Sequence, residues 1–390
     1  MFHLNNGQRN AVQKCVEWYF STDYNKKNYF LLAGAAGTGK SSTVKTIISV
    51  LGLPRYSIYF ASFTSKAAIV LSVKGNPANT IHKTFYNIFK LNNKYYFKVK
   101  KSLPSFIKLI VIDEAAMCND KMLDDIFSFQ LPVILLGDKY QLSPVIGKNS
   151  LFEDEKNIDA ELTEVMRQDN TSGILDLATK ARNGEELIPG NYKNSRVLFL
   201  KDIKNIEDYD VVLCYKNSTR KMFNQAIRKK MGLKSVYPSK GEKLIGLKNN
   251  YFHKIQFEDV PIFPANGLTC ICLEDSKKLK NGFINVKYRP DFINYEDGEY
   301  FNTLCHPDYF DLYENNIEES PVILGENDAD DIVHMDYGYC LSVHKSQGSE
   351  YKRGLLLDEF RGPKDENRKF LYTGITRFSV SVDIVKDFER

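Results

Sequence analysis

The sequence contains Gly34-Ala35-Ala36-Gly37-Thr38-Gly39-Lys40-Ser41, which matches the pattern G-x-x-x-x-G-K-[ST]. An apolar run, Tyr29-Phe30-Leu31-Leu32-Ala33, comes directly before it and is typical of a short buried strand. Apolar residues at helical spacing follow between Ser42 and Ile48. A strand, a glycine-rich loop and a helix in this order are the context that a phosphate-binding loop requires.

This loop predicts a site for the phosphates of ATP. Glycines allow the backbone to approach an anion closely and to point N–H groups at it, and the helix adds the positive end of its dipole. We expect Lys40 to reach the β- and γ-phosphates and Ser41 to place its hydroxyl on Mg²⁺. The alternative is a glycine-rich turn with a surface lysine, which would not need the flanking strand and helix.

Two carboxylates follow a second apolar run. Leu109-Ile110-Val111-Ile112 predicts a buried strand that ends at Asp113 and Glu114. We expect Asp113 to hold Mg²⁺, directly or through water, and Glu114 to orient and deprotonate the water that attacks ATP. A strand followed by two acids is common in proteins. Downstream of a phosphate loop, however, it predicts the second half of an ATP-hydrolysing site.

Length and composition indicate a globular protein of more than one domain. The 390 residues suffice for two or three domains, and 43% hydrophobic with 26% charged residues is an ordinary balance. No apolar run approaches the roughly 18 residues of a membrane span, and the polar N-terminus is not a signal peptide. The net charge of +4 permits a nucleic-acid partner without requiring one.

The cysteines predict a reducing, cytoplasmic environment, because seven is an odd number and the chain is long. Cys270, Cys272, Cys305 and His306 together offer four zinc ligands on paper. The alternative is that Cys270 and Cys272, two residues apart on a strand, point to one face and belong to the core.

Three more polar residues are candidates for the ATP site. Gln8 lies in a helix ahead of the loop, where its amide can both donate to and accept from an adenine. Gln141 follows the apolar run 133–136 and can sense the γ-phosphate. Arg167 lies where a first domain would end and can stabilise charge during phosphoryl transfer. A solvated helix glutamine and a surface ion pair are the alternatives for Gln8 and Arg167.

Residues 91–101 interleave lysines and aromatic residues around Asn92-Asn93, which predicts a turn between two short strands. Such a hairpin suits bases and phosphates, and it equally suits any exposed surface. Thr64, at a predicted helix start, can contact a backbone phosphate or simply cap the helix. His82 can contact a polyanion or belong to the core.

The second half of the chain repeats the α/β pattern and interrupts it. A strand at 210–215 and a basic helix at 219–231 begin this half. From about Lys240 to Met335, short β-like runs separated by Asn-Gly turns predict a small β-barrel insertion. Strand and helix signals return from 339 onwards.

Taken in this order, the stretches resemble those of the superfamily 1 helicases, in particular the RecD/Dda-like branch. The resemblance covers about residues 1–240 and 335–390 and is weaker between them. It implies an α/β fold of two RecA-like P-loop domains, with a small hairpin insertion in the first and a β-rich, SH3-like barrel insertion in the second. The expected limits are 1–83 with 110–165 for the first domain, 84–109 for the hairpin, 166–240 with 336–390 for the second domain, and 241–335 for the β-rich insertion.

The resemblance also implies a role for each matched residue. The matches to the ATP site are Gln8 at the adenine, Gly34, Ala35, Ala36, Gly37, Thr38, Gly39, Lys40 and Ser41 at the phosphates, Asp113 and Glu114 at the metal and water, Gln141 with the arginine fingers Arg167 and Arg377 at the γ-phosphate, and Gly348 and Glu350 near the γ-phosphate and ribose. The matches to single-stranded DNA contacts are Thr64, His82, Asn217, Ser342 and His344. The hairpin falls where the family inserts an element that helps to split the duplex.

Three positions depart from the family pattern. Phe63 and Ser143 each replace a proline, and Phe378 follows the motif that contains Arg377 where a small residue is common. None of the three removes a catalytic group. The departures therefore concern the local DNA contacts more than ATP hydrolysis.

The resemblance implies an ATP-dependent DNA helicase that uses ATP and Mg²⁺, moves 5′→3′ on single-stranded DNA and unwinds duplex junctions. Replication, recombination or repair is the expected setting, together with proteins of those processes. The expected location is the cytoplasm, or the host cytoplasm for a phage protein.

Three alternatives stay open. They are an RNA helicase of the same superfamily, an ATP-gated clamp or remodelling factor that does not unwind, and an unrelated P-loop protein such as a small-molecule kinase. Lys40, Glu114 and the two arginines argue against an inactive ATP site. The second α/β half and residues 342–350 argue against a small-molecule kinase.

Overall fold

The computed structural model describes residues 4–21, 27–91, 94–144, 146–165, 172–250, 254–257, 260–293, 299–310, 332–386 and 388. The helices are α1 (Asn6–Phe20), α2 (Lys40–Leu51), α3 (Ser65–Val73), α4 (Ile81–Phe85), α5 (Asp120–Phe127), α6 (Ser150–Glu153), α7 (Gly173–Asn183), α8 (Asn217–Lys230), α9 (Val343–Ser346) and α10 (Lys364–Ile375).

The strands, in chain order, are β1 (Tyr29–Gly34), β2 (Ile58–Ser62), β3 (Ala78–Thr80), β4 (Tyr86–Leu91), β5 (Lys94–Val99), β6 (Leu109–Asp113), β7 (Val133–Gly137), β8 (Ala160–Leu162), β9 (Gly190–Tyr192), β10 (Ser195–Leu198), β11 (Val211–Cys214), β12 (Lys243–Gly246), β13 (Ile255–Phe257), β14 (Val260–Ile262), β15 (Thr269–Cys272), β16 (Lys277–Lys278), β17 (Ile284–Pro290), β18 (Phe301–Cys305), β19 (Ile332–Val333), β20 (Met335–Tyr337), β21 (Cys340–Ser342), β22 (Tyr351–Leu357) and β23 (Phe378–Val385).

The first sheet is parallel throughout and has the order β3-β2-β6-β7-β1-β8. Its central strands are apolar along their length because helices cover both faces. Ala11 and Ile47 pack on one face, and Phe85 and Leu123 pack on the other. The carboxyl ends of β1, β6 and β7 therefore meet at one edge, which is where ligands bind in such sheets.

The second sheet has the order β21-β11-β22-β23-β10-β9 and is parallel except for β9. Helices α7 and α10 pack on it through Leu177 and Phe370, and α8 packs through Phe223 and Ile227. Two parallel sheets covered by helices confirm the mixed α/β class and are consistent with the RecA-like fold.

A third, largely antiparallel sheet with the order β19-β18-β17-β15-β12-β20 lies between β11 and β21 in the chain. The short β-like runs predicted between Lys240 and Met335 include β12, β15 and β17. The SH3-like closure of this insertion stays a prediction.

Three of the four potential zinc ligands lie inside the third sheet's core. Cys270, Cys272 and Cys305 are buried there, while His306 lies 3.4 Å from a carboxylate oxygen of Asp308. Within the described ranges, no group of three or more His, Cys, Asp or Glu side chains is placed to hold a metal ion. The core interpretation of these cysteines therefore agrees with their surroundings.

The predicted pair of short strands in the first half is confirmed as the antiparallel hairpin β4–β5, with Tyr86 opposite Val99 and Phe89 opposite Tyr96. Its predicted turn, Asn92-Asn93, lies outside the described residues. Phe89 and Tyr96 are about half exposed, so the hairpin carries aromatic rings into solvent. In the part of the chain that the structure describes, no helix has the length and apolar character of a membrane span.

Candidate nucleotide site and nucleic-acid interface

The loop between β1 and α2 is shaped by glycines in the left-handed region. Gly37 has φ 80° and Gly39 has φ 84°, conformations that side chains disfavour. A Cβ atom on Gly39 would lie 2.4 Å from Nε2 of Gln8. The second glycine of the motif is thus required by the backbone and by the close approach of Gln8.

The N-terminus of α2 carries no side-chain cap, whereas Thr64, Thr80 and Asn119 cap α3, α4 and α5. Its first-turn N–H groups therefore stay available to an anion. Lys40 Nζ donates to the carbonyl oxygen of Gly34 at 2.6 Å and so holds a positive charge at the loop. Open donors, a helix terminus and an ammonium group together fit the phosphates of a nucleotide.

Gln8 is 3% exposed and joins α1 to the loop. Its Nε2 donates to the Thr38 carbonyl at 3.1 Å, and its Oε1 accepts from the Asn5 N–H at 3.1 Å. One N–H and one lone pair of the amide remain for a ligand. The adenine-reading role stays a prediction.

The two carboxylates lie at the end of β6, as the sequence predicts. Asp113 Oδ1 accepts from the backbone N–H of Glu114 at 2.9 Å. Glu114 has φ 54° and ψ 38°, a left-handed conformation that is uncommon for a residue with a side chain. Strain of this kind is concentrated at functional sites, where the surrounding structure enforces it.

Burial raises the pKa of both carboxyl groups. For Asp113, the positive charge of Lys40 opposes the rise. For Glu114, the negative charge of Asp113 raises the pKa further, while Arg377 and Lys40 oppose the rise. A carboxylate with a raised pKa is a better proton acceptor than an exposed one, which suits a general base.

Arg377 comes from the far end of the chain and reaches this edge of the first sheet. It is 5% exposed, and its Nε donates to the Thr373 carbonyl at 3.1 Å. The guanidinium lies close enough to Glu114 to lower the pKa of that group. The structure thus brings Arg377 to the predicted carboxylates.

Two buried hydrogen bonds join α10 to the segment after β7. The Tyr372 hydroxyl donates to Asp138 Oδ2 at 2.7 Å, and the Leu142 N–H donates to Thr373 Oγ1 at 2.9 Å. Gln141 lies between these contacts and is 5% exposed. The predicted γ-phosphate sensor therefore sits where the two parallel sheets meet.

A cavity of about 240 Å³ opens beside the phosphate loop. Residues of both halves line it, among them Ala35, Ala36, Gly37, Glu350, Tyr372, Arg182 and Phe378. Glu350, predicted near the γ-phosphate and ribose, thus lines the cavity beside the loop. Arg182 was missed by the sequence reasoning, because a basic residue in the last turn of α7 belongs to no motif.

Of the residues predicted for the ATP site, Ala35, Ala36, Gly37 and Glu350 line this cavity, whereas Gly348 lies elsewhere. Gly348 has φ 76°, and a Cβ atom on it would lie 3.1 Å from Thr64 Oγ1. Gly348 therefore packs on the start of α3, next to a predicted DNA contact. Arg167 lies outside the described residues.

The predicted DNA contacts follow strands at one side of each parallel sheet. Thr64 and His82 follow the neighbouring strands β2 and β3, whereas Asn217 follows β11 and Ser342 is the last residue of the neighbouring strand β21. The contact of Gly348 with Thr64 brings the two groups together. None of the five predicted contact residues is among those that line the nucleotide cavity.

Their side chains already have protein partners. Thr64 and Ser342 cap α3 and α9, and the exposed Asn217 accepts from Arg220 Nε at 3.4 Å. The His82 ring lies 4.6 Å from the Phe97 ring. Burial lowers the pKa of His82 and of His344, so neutral rings are favoured at this surface.

Two of the three departures from the family pattern have a local explanation. The Phe378 ring occupies the space beside Gly354, where a Cβ atom would lie 1.8 Å from it. Ser143 Oγ accepts from Lys369 Nζ at 2.9 Å and so adds a contact between the halves. Phe63 is partly buried against the first sheet's core.

Comparison with known families agrees with this geometry. Residues 3–201 match the AAA domain, and residues 337–379 match the UvrD-like helicase C-terminal domain. The first match spans just over half of the chain. The chain belongs to the AAA domain family, among the superfamily 1 helicases of the RecD, Dda and Pif1 type. The expected family is thereby confirmed.

The individual relatives of this superfamily 1 chain that follow are each less than 30% identical to it in sequence. The ATP-dependent DNA helicase dda of Enterobacteria phage T4 is 29% identical over 264 residues, 58% of this chain and 57% of that protein. The RecBCD enzyme subunit RecD of Buchnera aphidicola subsp. Schizaphis graminum is 24% identical over 445 residues, 92% of this chain and 70% of that subunit. The chain thus spans little more than half the length of the first relative.

A solved Pif1 helicase from Bacteroides, in complex with ADP-AlF3 and single-stranded DNA, superposes with a TM-score of 0.53. The two chains are 16% identical, and the match covers 98% of this chain and 92% of that one. This likeness shows the fold, and it extends over both parallel sheets and the insertion between them.

Proposed function

We propose that the protein is an ATP-dependent DNA helicase, which hydrolyses ATP between its two parallel sheets, moves on single-stranded DNA and separates duplex DNA. The observation that carries the proposal is the pair of buried hydrogen bonds by which α10, the helix just before Arg377, is joined to the segment after β7 of the first half. An arginine placed across a domain boundary makes hydrolysis depend on how the two halves are arranged. The name of the phage relative and the DNA-bound Pif1 complex support the choice of DNA.

ATP would bind at the open N-terminus of α2, with Lys40 at its β- and γ-phosphates. Ser41 and Asp113 are the groups to hold Mg²⁺, since a hydroxyl and a carboxylate are the oxygen ligands this ion prefers. Bound there, Mg²⁺ neutralises phosphate charge. Gln8 would contact the adenine and Glu350 the ribose.

Glu114 would position a water molecule and accept its proton. The water oxygen forms a bond to the γ-phosphorus while the bond to the β–γ bridging oxygen breaks, which yields ADP and phosphate. Arg377 stabilises the charge that develops, Arg167 is assigned the same role, and Gln141 senses the γ-phosphate. The raised pKa of Glu114 favours it as the proton acceptor at neutral pH.

Closure of the two halves on ATP and reopening after hydrolysis would move the strand across both sheets. We assign the strand contacts to Thr64, His82, Asn217, Ser342 and His344. Residues 1–83 with 110–165 would move against 166–240 with 336–390, while the insertions at 84–109 and 241–335 guide the DNA. The RecD/Dda-like resemblance favours 5′→3′ movement, cytoplasmic action, and partners in replication, recombination or repair.

The deciding experiment measures ATP turnover by the purified protein alone, with single-stranded DNA and with RNA, using Lys40→Ala as the blank. We expect strong stimulation by DNA, because strand contacts would favour the closed arrangement. Duplexes with a 5′ or a 3′ tail then test unwinding and direction. Stimulation by RNA alone would instead identify an RNA helicase. Turnover that is indifferent to both, or DNA-stimulated turnover without unwinding, would contradict the proposal.

A further inference from the structure

A second cavity, of about 520 Å³, lies on the first half of the molecule, away from the phosphate loop. Its lining residues are Arg55, Tyr56, Ile58, Tyr59, Phe60, Pro77, Asn79, Lys83, Thr84 and Lys100. None of these residues belongs to the nucleotide site or to the five assigned strand contacts, and Thr84 and Lys100 belong to the insertion at 84–109. Its volume lies within the range of about 300–1,000 Å³ that is usual for ligand sites. We name it the outer groove.

The outer groove is positively charged. Arg55, Lys83 and Lys100 line it, and no carboxylate is among the described residues of its lining. Sequence segments 52–60 and 96–108, which border it, contain no Asp or Glu. Burial lowers the pKa of Lys83 and of Lys100, so an anion bound here would favour their charged forms. The partner that this surface fits is therefore an anion.

Exposed aromatic rings accompany these cations. Tyr56 is 73% exposed, and Phe106 is 51% exposed. Their ring centroids lie 6.3 Å apart in an edge-to-face arrangement. Large rings left in solvent beside cations are the composition of single-stranded nucleic-acid sites, where bases stack on the rings and cations contact the backbone. An acidic peptide would use the cations but would gain less from the rings.

The side chains at the rim are held in place. Arg55 Nη2 donates to Asn76 Oδ1 at 2.9 Å. The Lys108 N–H donates to the Ser57 carbonyl at 2.8 Å, which fixes the segment that carries Phe106 against the turn that carries Tyr56. The groove is thus a preformed surface, which lowers the entropy lost on binding.

The groove begins at the base of the β4–β5 hairpin. Lys100 directly follows β5, and its Nζ donates to the carbonyl oxygens of Thr84 at 2.7 Å and Lys83 at 3.3 Å. Helix α4 carries His82 toward Phe97 of the hairpin and presents Lys83 and Thr84 to the groove. Helix α4 therefore joins the outer groove to His82, a predicted contact of the strand on which the protein is proposed to move.

We propose that the outer groove binds the displaced strand, the single strand that leaves the hairpin when the duplex is split. The proposal rests on the proposed helicase function. Its site consists of Arg55 and Lys100 as backbone contacts and Tyr56 with Phe106 as the stacking surface. Binding both strands at a fork holds them apart and opposes their reannealing.

The test compares binding of three DNAs by fluorescence anisotropy: a single strand, a duplex with one tail, and a fork with a second, non-complementary tail. We expect the wild-type protein to bind the fork about tenfold more tightly than the one-tailed duplex, since stacking of a single base can supply such a factor. The double variant Arg55→Ala/Tyr56→Ala should lose this gain. It should keep its affinity for the single strand and its DNA-stimulated ATP turnover.

Phe20→Ala/Arg353→Ala is the matched control, because it removes another exposed arginine and an aromatic ring that is 68% exposed. The control should keep the fork gain. A wild-type protein without a fork gain, or an Arg55→Ala/Tyr56→Ala variant that retains it, would overturn the inference while DNA-stimulated turnover leaves the helicase proposal standing. ATP turnover by the wild-type protein that DNA does not stimulate would instead refute the helicase proposal. A labelled poly-glutamate peptide that binds through Arg55 and Tyr56, with no fork gain, would assign the groove to a protein partner.

Discussion

In each of the two parallel sheets, a strand leads into a helix at the edge where ligands bind. These two strand–helix junctions differ in whether an external anion can bind there. In the first sheet, β1 leads into α2 through the glycine-rich loop, and α2 has no side-chain cap. In the second sheet, β11 leads into α8 through Tyr215 and Lys216. The first junction is open to a phosphate, whereas the second already contains a carboxylate of the protein.

That carboxylate belongs to Glu359, which follows β22 and is 1% exposed. It accepts from the Lys216 N–H at 2.7 Å, from the Thr219 hydroxyl at 2.6 Å, and from the Tyr215 N–H. The backbone donors that an external anion would need are therefore satisfied internally. One fold element thus serves as a ligand site in one half and as a rigid support, next to Asn217, in the other.

In the proposed function, this difference between the junctions accounts for hydrolysis that depends on both halves. With ATP bound, the open junction would hold the negative charges of the phosphates beside Asp113 and Glu114, and Lys40 is a cation that the loop itself supplies. Arg377 supplies a further cation from the second half. At the filled junction, Glu359 accepts hydrogen bonds from the N–H and hydroxyl donors that it meets, so these donors need no external anion.

The largest effect is expected on ATP turnover, from removing Arg377, the cation that the second half supplies to the open junction. Arg377→Ala should lower DNA-stimulated ATP turnover by about 10³–10⁵, since an arginine finger acts in the transition state. ATP should still bind, because the loop and Lys40 are intact. Steady-state turnover and equilibrium binding of a fluorescent ATP analogue measure the two quantities. Near-normal turnover would show that Arg377 is not the finger.

A smaller effect is expected at the filled junction. Glu359→Ala leaves buried N–H and hydroxyl donors without an acceptor, which should lower the free energy of unfolding by about 2–4 kcal/mol. Inorganic phosphate should then restore part of the lost thermal stability by occupying the vacated position.

The phosphate rescue is measured in a Lys40→Ala background, which weakens phosphate binding at the open junction. Thermal melts with and without phosphate then compare Lys40→Ala with Lys40→Ala/Glu359→Ala. An equal response of the two proteins to phosphate would contradict the view that Glu359 occupies an anion site.

The smallest effect is expected on the free energy of unfolding, because burying the two acids Asp113 and Glu114 at the open junction destabilises the fold. The pKa of Glu114 is raised in the folded protein, so at neutral pH its ionisation opposes folding. Glu114→Gln should therefore abolish turnover yet raise the free energy of unfolding by about 0.5–2 kcal/mol. The gain should be present near pH 7 and should shrink as the pH falls toward 4.5, the ordinary value for a glutamate.

Chemical denaturation at several pH values measures this gain. Glu153→Gln is a suitable control, since Glu153 is an exposed glutamate in the first half that belongs to no proposed site. A Glu114→Gln protein that is less stable than wild type near pH 7 would contradict the assignment of a raised pKa to this carboxyl.

Features that are local in the chain could be predicted from the sequence. The phosphate loop is eight consecutive residues with a strand before it and a helix after it, so its shape follows from glycine conformations and apolar spacing. The hairpin strands and the runs of the third sheet were predictable for the same reason. Contacts between distant segments were recovered only where the resemblance supplied them, as for Arg377. Arg182 at the nucleotide cavity and the outer groove were not predicted.

The limit of prediction from sequence is clearest at two stretches with similar sequences. Leu109-Ile110-Val111-Ile112 is followed by Asp113-Glu114, and Leu355-Leu356-Leu357 is followed by Asp358-Glu359. The sequence by itself determined that both are buried strands ending in acids, because burial follows from the local run of apolar side chains. Only the tertiary structure decided their roles. Glu114 faces an open loop and a cation, whereas Glu359 faces backbone donors that it satisfies, and a carboxylate's chemistry depends on which charges and donors surround it.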